Sequence, residues 1–379
     1  MNSRERVVEA LNLREPDRVP LFEMHIPPKI SSRILAKDDF VAGNTELCYD
    51  LMARGYDTNK LNERISEELV DLHDKTGLDF IRVPGAYTKV KEIRRESEGI
   101  WVIDGKRYRY SAESLWNLDE PRYYDPDDVL RECHQINASK VDEAVFSILR
   151  HIVKRIRKRL FLSFDADGSW GPIVSNPNLL LSVMTWMYTR PDVVEALIGA
   201  YTSQAIKIGR AAIDEGADAI LMCVDYGHAT GPWMSPAKFR SFVKPALMRQ
   251  IDAFNRKGAF AILHSDGNIA AILRDVVDAG IDAYQGIDVM AGMDLKAVKE
   301  EYGGRTCLIG NVNPRIIEFG TKEEVKREVL RCIEDGAHDG GYILSASANI
   351  SNNSNADNFL CMLDYARKIG RYPLGLQPR

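Results

Sequence analysis

Short apolar runs alternate with amphipathic helical stretches along almost the whole chain. Residues 18–26, 79–83, 160–165, 217–224, 259–263, 283–287, 306–311 and 342–345 read as eight strands. Between most of them the apolar positions recur at helical spacing, as at 191–215, 236–256 and 322–334. Gly216 and Gly280 each stand at a helix end, two or three residues before the next apolar strand. Strands alternating with helices imply parallel pairing, and eight such units predict a closed (β/α)8 TIM barrel of the α/β class.

One region breaks the rhythm. Residues 90–95 and 100–103 flank a polar turn, and Asp104-Gly105 leads into 107–110. This predicts two consecutive β-hairpins, the second with an Asp-Gly turn, as an excursion over about residues 88–112 after strand 2. A proline- and aspartate-rich surface loop is expected over 121–128. The whole chain, 1–379, is read as one barrel domain.

The composition is that of an ordinary soluble globular protein. Hydrophobic residues make up 45% and charged residues 28%, and the formal charge is −5. That charge gives no electrostatic case for nucleic acid or an anionic membrane. No apolar run approaches the roughly 20 residues that span a bilayer. The charged start, MNSRERVVEALNLREPDRVP, lacks the apolar segment of a signal peptide. The six cysteines are scattered without a CxxC pair, as expected of reduced thiols in a cytoplasmic protein.

Candidate chemistry gathers at strand ends. The fifth strand closes in His264-Ser265-Asp266-Gly267-Asn268. His264 and Asp266 are two apart, so in extended chain both side chains leave one face. They could form an acid/base pair, half a metal site or a substrate anchor. Glu23 and His25 share the same spacing after the first strand. Asp165 and Asp167 follow the third strand, Cys223, Asp225 and His228 the fourth, Asp288 the sixth and Asn311 the seventh. In a barrel these positions converge on one mouth. Each also has a structural reading: Asp225 as a loop cap, Cys223 as core filler, Asn311 as an organiser of its own loop. Trp170 and Trp233 lie on loops above the mouth, where rings could wall a substrate or pack the excursion down. Trp186, in a methionine-rich helical stretch, reads as core or as the interface of a homo-oligomer.

Several segments in order resemble the uroporphyrinogen decarboxylase superfamily: RERV at 4–7 through EPDRVP at 15–20, Ser235-Pro236 before a helix, the HSDGN strand, and GNVNP at 310–314. The resemblance runs from about residue 3 to 370. It implies a (β/α)8 barrel with its site at the carboxyl-terminal face. It further implies either porphyrinogen decarboxylation or methyl transfer involving a corrinoid protein or a thiol.

The departures from the family patterns favour methyl transfer. Decarboxylases carry an arginine-rich segment after the first strand to hold substrate carboxylates. Here the segment is EMHIPPK at 23–29, with no arginine before Arg33. The methyltransferase branch uses His-x-Cys and a later cysteine as zinc ligands. This chain keeps His264, has Asp266 at the first cysteine's place, and has serine near Ser347 at the second. The resemblance therefore implies a harder His/carboxylate metal site at His264 and Asp266, with zinc as the candidate ion, suited to an oxygen-bearing substrate. The expected activity moves a methyl group from a small methylated compound to a corrinoid protein supplied in trans. His264, Asp266, Asp225 and Glu23 are the expected catalytic residues; His25, Asp167, Trp170, His228, Trp233 and Asn311 are the expected substrate contacts. A lyase acting on another carboxylate, or a non-catalytic barrel binding a tetrapyrrole or corrinoid, are the alternatives.

Overall fold

The structure is a computed structural model that describes residues 1–111 and 114–375. The strands in chain order are β1 (Phe80–Val83), then β2 (Ile93–Ser97), β3 (Ile100–Ile103), β4 (Lys106–Ser111) and β5 (Ser114–Asn117) of the excursion. There follow β6 (Phe161–Asp165), β7 (Ala219–Cys223), a short pair β8 (Gly227–His228) and β9 (Gly231–Pro232), β10 (Phe260–Ser265), β11 (Ala283–Gly286), β12 (Cys307–Val312) and β13 (Tyr342–Ala346). Seven of them pair in parallel in the order β1-β6-β7-β10-β11-β12-β13.

The eighth place in the barrel is held by two residues only. Leu21 bridges Leu344 of β13 and Phe22 bridges Phe80 of β1, both in parallel, so the sheet closes on itself. The strand expected over 18–26 is therefore much shorter. Pro20 has no N–H to give a ladder. Beyond Phe22 the Ala346 N–H donates to the Glu23 side chain at 3.0 Å instead of to backbone. Strand pairing ends where the site begins.

The barrel interior is filled from every strand, by Phe22, Phe80, Phe161, Leu221, Ile262, Ala283, Ile309 and Ile343. Phe22 stacks on Phe80 with ring centroids 4.1 Å apart. The helix Ser3–Leu11 plugs the amino end with Val7, Ala10 and Leu11, which join this inner cluster. A larger apolar cluster lies between barrel and outer helices. Trp186 is 7% exposed and belongs to it, which settles that residue as core.

Three sequence expectations change. The helix expected over 236–256 is broken into Pro236–Lys238, a wide π turn at Phe239–Val243, and Lys244–Asn255. Pro245 lacks the N–H that a continuous helix would need, and the wide turn absorbs its ring. The loop expected over 121–128 holds for 121–125, but its last three residues open the helix Pro126–Ala138, with Asp125 accepting from the N–H groups of Asp127 and Asp128. Its proline and aspartates were helix-start signals. The excursion is a four-stranded antiparallel sheet, β2-β3-β4-β5, with one strand more than expected. Residue 112, the expected end of the insertion, lies outside the described residues. Trp101 of β3 is fully buried and meets Tyr49 edge-on at 5.6 Å, seating the excursion on the helix Thr45–Ala53 beside the barrel mouth.

Candidate active site

Neighbouring strands bring five polar side chains together toward the carboxyl ends. His264 pairs in register with Cys223 of β7 on one side and Gln285 of β11 on the other. Asp165 closes β6, and Arg82 stands in β1. All but Gln285 face a cavity of about 520 Å³ that Glu23, His25, Arg82, Asp165, Cys223, Asp225, His264 and Asp266 line from the polar side. Met24, Ile26, Phe40, Tyr87 and Ile148 supply apolar wall, and Tyr110 reaches in from β4.

The HSDGN loop is held from several directions. Ser265 Oγ accepts from the Tyr226 N–H at 3.0 Å, and the Asn268 N–H donates to the His228 carbonyl at 2.9 Å. Gly267 has φ +78°, and a Cβ there would lie 2.6 Å from the Gly227 carbonyl carbon. Only glycine allows these two loops to approach so closely. The approach lets the Asp266 N–H donate to Asp225 Oδ1 at 2.9 Å.

His264 therefore faces two carboxylates. Its Nε2 lies 3.7 Å from Asp225 Oδ1 and 3.8 Å from Asp266 Oδ1, while Nδ1 is hydrogen-bonded to Gln285 Oε1. One donor atom from each of Asp225, His264 and Asp266 falls within 4.8 Å of the others. Asp266 Oδ1 is buried with no hydrogen-bond partner among the described residues. Burial pushes the Asp266 carboxyl up to about 6, with His264 opposing and Asp225 and Asp288 adding to the rise. An orphaned oxygen beside an imidazole nitrogen and a second carboxylate fits a divalent cation with nitrogen and oxygen ligands, zinc included. Asp225 thus stands with His264 and Asp266 as a third side chain that could hold such an ion.

Glu23 is 5% exposed, and burial pushes its carboxyl up to about 8, against the Ala346 N–H bond that favours the anion. His25 is held down at about 4 by burial and then by the nearby Arg82 cation. Arg82 embraces Asp165, with Nε 3.0 and 2.9 Å from its two carboxylate oxygens, and its Nη2 reaches Cys223 Sγ at 3.5 Å. Burial pushes the Cys223 thiol up to about 12.

Five expected substrate contacts lie outside the residues lining this cavity. Asp167 accepts from the backbone of Ser169, Trp170 and Gly171 and organises its own turn. Trp170 is fully buried in the outer core. His228 is exposed on the β8–β9 hairpin, its ring 4.9 Å from that of Trp233. Asn311 is fully buried, donating to the Ile287 carbonyl at 2.8 Å and accepting from Arg331 at 2.9 Å. Ser347, near the expected second cysteine, is fully buried. Conversely, Arg82 and Gln285 were not singled out from sequence. Their signal was a polar side chain within an otherwise apolar strand, in FIRV and AYQG.

Comparison with known proteins agrees with this architecture. The chain resembles the methyltransferase from Methanosarcina mazei, with a TM-score of 0.69 over 97% of this chain and 99% of that one at 20% identity, a likeness of fold. It is 29% identical over 173 residues to the methylcobamide:CoM methyltransferase MtaA of Methanosarcina barkeri, 45% of this chain and 49% of that protein. It is 24% identical over 188 residues to the uroporphyrinogen decarboxylase of Chlorobium chlorochromatii, 48% of this chain and 51% of that protein. The chain thus spans about half the length of the curated relatives it matches. Among the described residues no helix is long and apolar enough to cross a membrane. The profile of the uroporphyrinogen decarboxylase (URO-D) family matches residues 130–369, and the chain belongs to that family.

Proposed function

We propose that this protein takes a methyl group from a small methylated compound, with a methoxy group or similar, and passes it to the cobalt of a separate corrinoid protein. The observation that carries the reading is the Asp225, His264 and Asp266 donor set facing a cavity with four carboxyl groups and a single guanidinium, Arg82, among the described residues. That guanidinium is already paired with Asp165. A poly-carboxylate substrate would meet the wrong sign of charge, which opposes porphyrinogen decarboxylation. The MtaA relative, named for methylcobamide and coenzyme M, supports the methyltransferase branch. The absence of a cysteine from the donor set favours an oxygen-bearing substrate over a thiol.

Asp225, His264 and Asp266 would hold the metal, which when bound supplies a Lewis acid for the substrate's leaving oxygen. The apolar wall of Met24, Ile26 and Phe40 excludes water and seats the carbon skeleton. The methyl group leaves without the bonding electrons, and the reduced cobalt provides the pair for the new bond. The leaving oxygen keeps the old pair and takes a proton from Glu23, whose carboxyl retains it up to about pH 8.

The test is direct. Purified protein is mixed with reduced corrinoid protein and a panel of methoxylated compounds, and cobalt methylation is followed by absorbance. Metal content is measured alongside for wild type and His264→Ala. Methylated cobalt with at least one compound, and stoichiometric metal lost in the variant, are expected. Failure of every compound to methylate cobalt overturns the reading.

A further inference from the structure

The side chain behind His264 determines which of its nitrogens is available. Gln285 is fully buried in β11, stands opposite His264 in the ladder and does not line the cavity. Its amide is oriented by its other end. Nε2 donates to the Ala346 carbonyl at 3.3 Å, which leaves Oε1 as the atom toward His264 Nδ1. The reversed amide would set two carbonyl oxygens against each other at Ala346. A carbonyl oxygen only accepts, so Nδ1 must carry the hydrogen. The lone pair of a neutral ring then sits on Nε2, the nitrogen facing Asp225 and Asp266.

That orientation runs against the local charge. Two carboxylates at 3.7 and 3.8 Å favour a hydrogen on Nε2, where it could be donated to them. Left to itself the imidazole would satisfy the carboxylates and close the site. The backbone geometry holds Gln285 in place against that tendency. Gly286 has φ +122°, and a Cβ there would lie 2.4 Å from the Ser265 carbonyl oxygen, so β10 and β11 are in close contact one residue beyond the pair. Ala346, whose carbonyl orients Gln285, also donates its N–H to Glu23 at 3.0 Å. A continuous chain therefore runs from Glu23 through Ala346 and Gln285 to His264.

We propose that Gln285 is a positioning residue that fixes His264 as the Nδ1–H tautomer, keeping Nε2 as an open electron-pair donor between Asp225 and Asp266. Such hydrogen bonds behind a ligating histidine set its ring orientation and its basicity. The use of that open nitrogen for a cation rests on the proposed function; the tautomer itself does not.

The test uses full-length, metal-free protein labelled with 15N-histidine, at a pH where the imidazole is neutral. His264 is assigned by comparison with His264→Ala, and long-range proton–nitrogen spectra show which ring nitrogen carries the hydrogen. Hydrogen on Nδ1 in wild type, moving to Nε2 in Gln285→Leu, is the expected result. Titration with Zn2+ is expected to show affinity falling ~10–100-fold in Gln285→Leu. Hydrogen on Nε2 in wild type, or an unchanged spectrum in Gln285→Leu, overturns the proposal. Hydrogen on Nδ1 with no zinc binding supports the role of Gln285 while removing the metal from the proposed function.

Discussion

The two ends of the barrel bury carboxylates in opposite ways. At the amino end Asp79 is fully buried, and every approach to it is taken. Arg6 donates at 2.7 Å, Arg18 at 2.8 and 3.0 Å, and the Leu21 N–H at 2.9 Å. At the carboxyl end Asp266 Oδ1 has no hydrogen-bond partner among the described residues, and Glu23 accepts one backbone N–H. The first arrangement locks the chain's start to the barrel. The second keeps electron pairs and a proton available at a cost in stability, as functional sites commonly do.

The largest effect is expected at the satisfied end. Asp79→Ala leaves the Arg6 and Arg18 guanidinium groups facing a buried void and should cost about 3–5 kcal/mol in denaturant unfolding. A loss below about 1 kcal/mol would erase the contrast. At the other end His264→Ala should lower methyl transfer at least ~100-fold, with stability falling by about 1–3 kcal/mol as the buried Gln285 Oε1 loses its partner. An activity loss no greater than the unfolded fraction explains would instead make His264 structural.

The difference in pH dependence of stability between wild type and Glu23→Gln isolates Glu23 from Asp266 and His25, which titrate in the lower part of the same window. The Glu23 carboxyl titrates at about 8 in the fold against an ordinary 4.5, so the contribution is fully present below pH 4.5 and is lost as pH rises through about 8. Stability should fall by up to ~1.4 kcal/mol per pH unit within that window, and Glu23→Gln should flatten the slope. Parallel curves for wild type and variant would contradict a buried neutral carboxyl. Gly267→Ala, at φ +78° and against the Gly227 backbone, should cost about 1–3 kcal/mol and weaken metal binding by displacing Asp266. The smallest effect is expected for Asp266→Asn. Removing a half-satisfied buried charge should leave stability within ~1 kcal/mol of wild type or raise it, while metal content falls. A loss as large as that of Asp79→Ala would show that both ends are built for stability.

Much of this was legible in the residues. Eight strand positions, the β/α alternation and the excursion follow from apolar runs, helical spacing and the Asp104-Gly105 turn. The site is legible at His264, Asp266, Asp225, Glu23 and His25, because strand ends in a barrel converge. The same rule also pointed to Asp167, His228 and Asn311. Asp167 and His228 lie on loops that turn away, where Ser169 and Trp233 take them up, and Asn311 stands within β12 held by Arg331. Pro245 and Asp125 carried information about helix ends that the apolar rhythm alone obscured.

The sequence by itself determined the alternation of elements, the register of faces and the pair of polar side chains closing β10, since these depend on local periodicity and on side chains two residues apart. Tertiary structure alone decided the rest. Leu21 and Phe22 close the barrel through contacts with Leu344 and Phe80, hundreds and tens of residues away. Gln285 meets His264 directly across the ladder, and Arg82 meets Asp165 two places beyond its own register partner Ser163, because parallel strands bring distant segments side by side. A hydrogen bond between neighbouring strands leaves no periodic trace in either one. It exists only when the barrel curls and brings those levels into register.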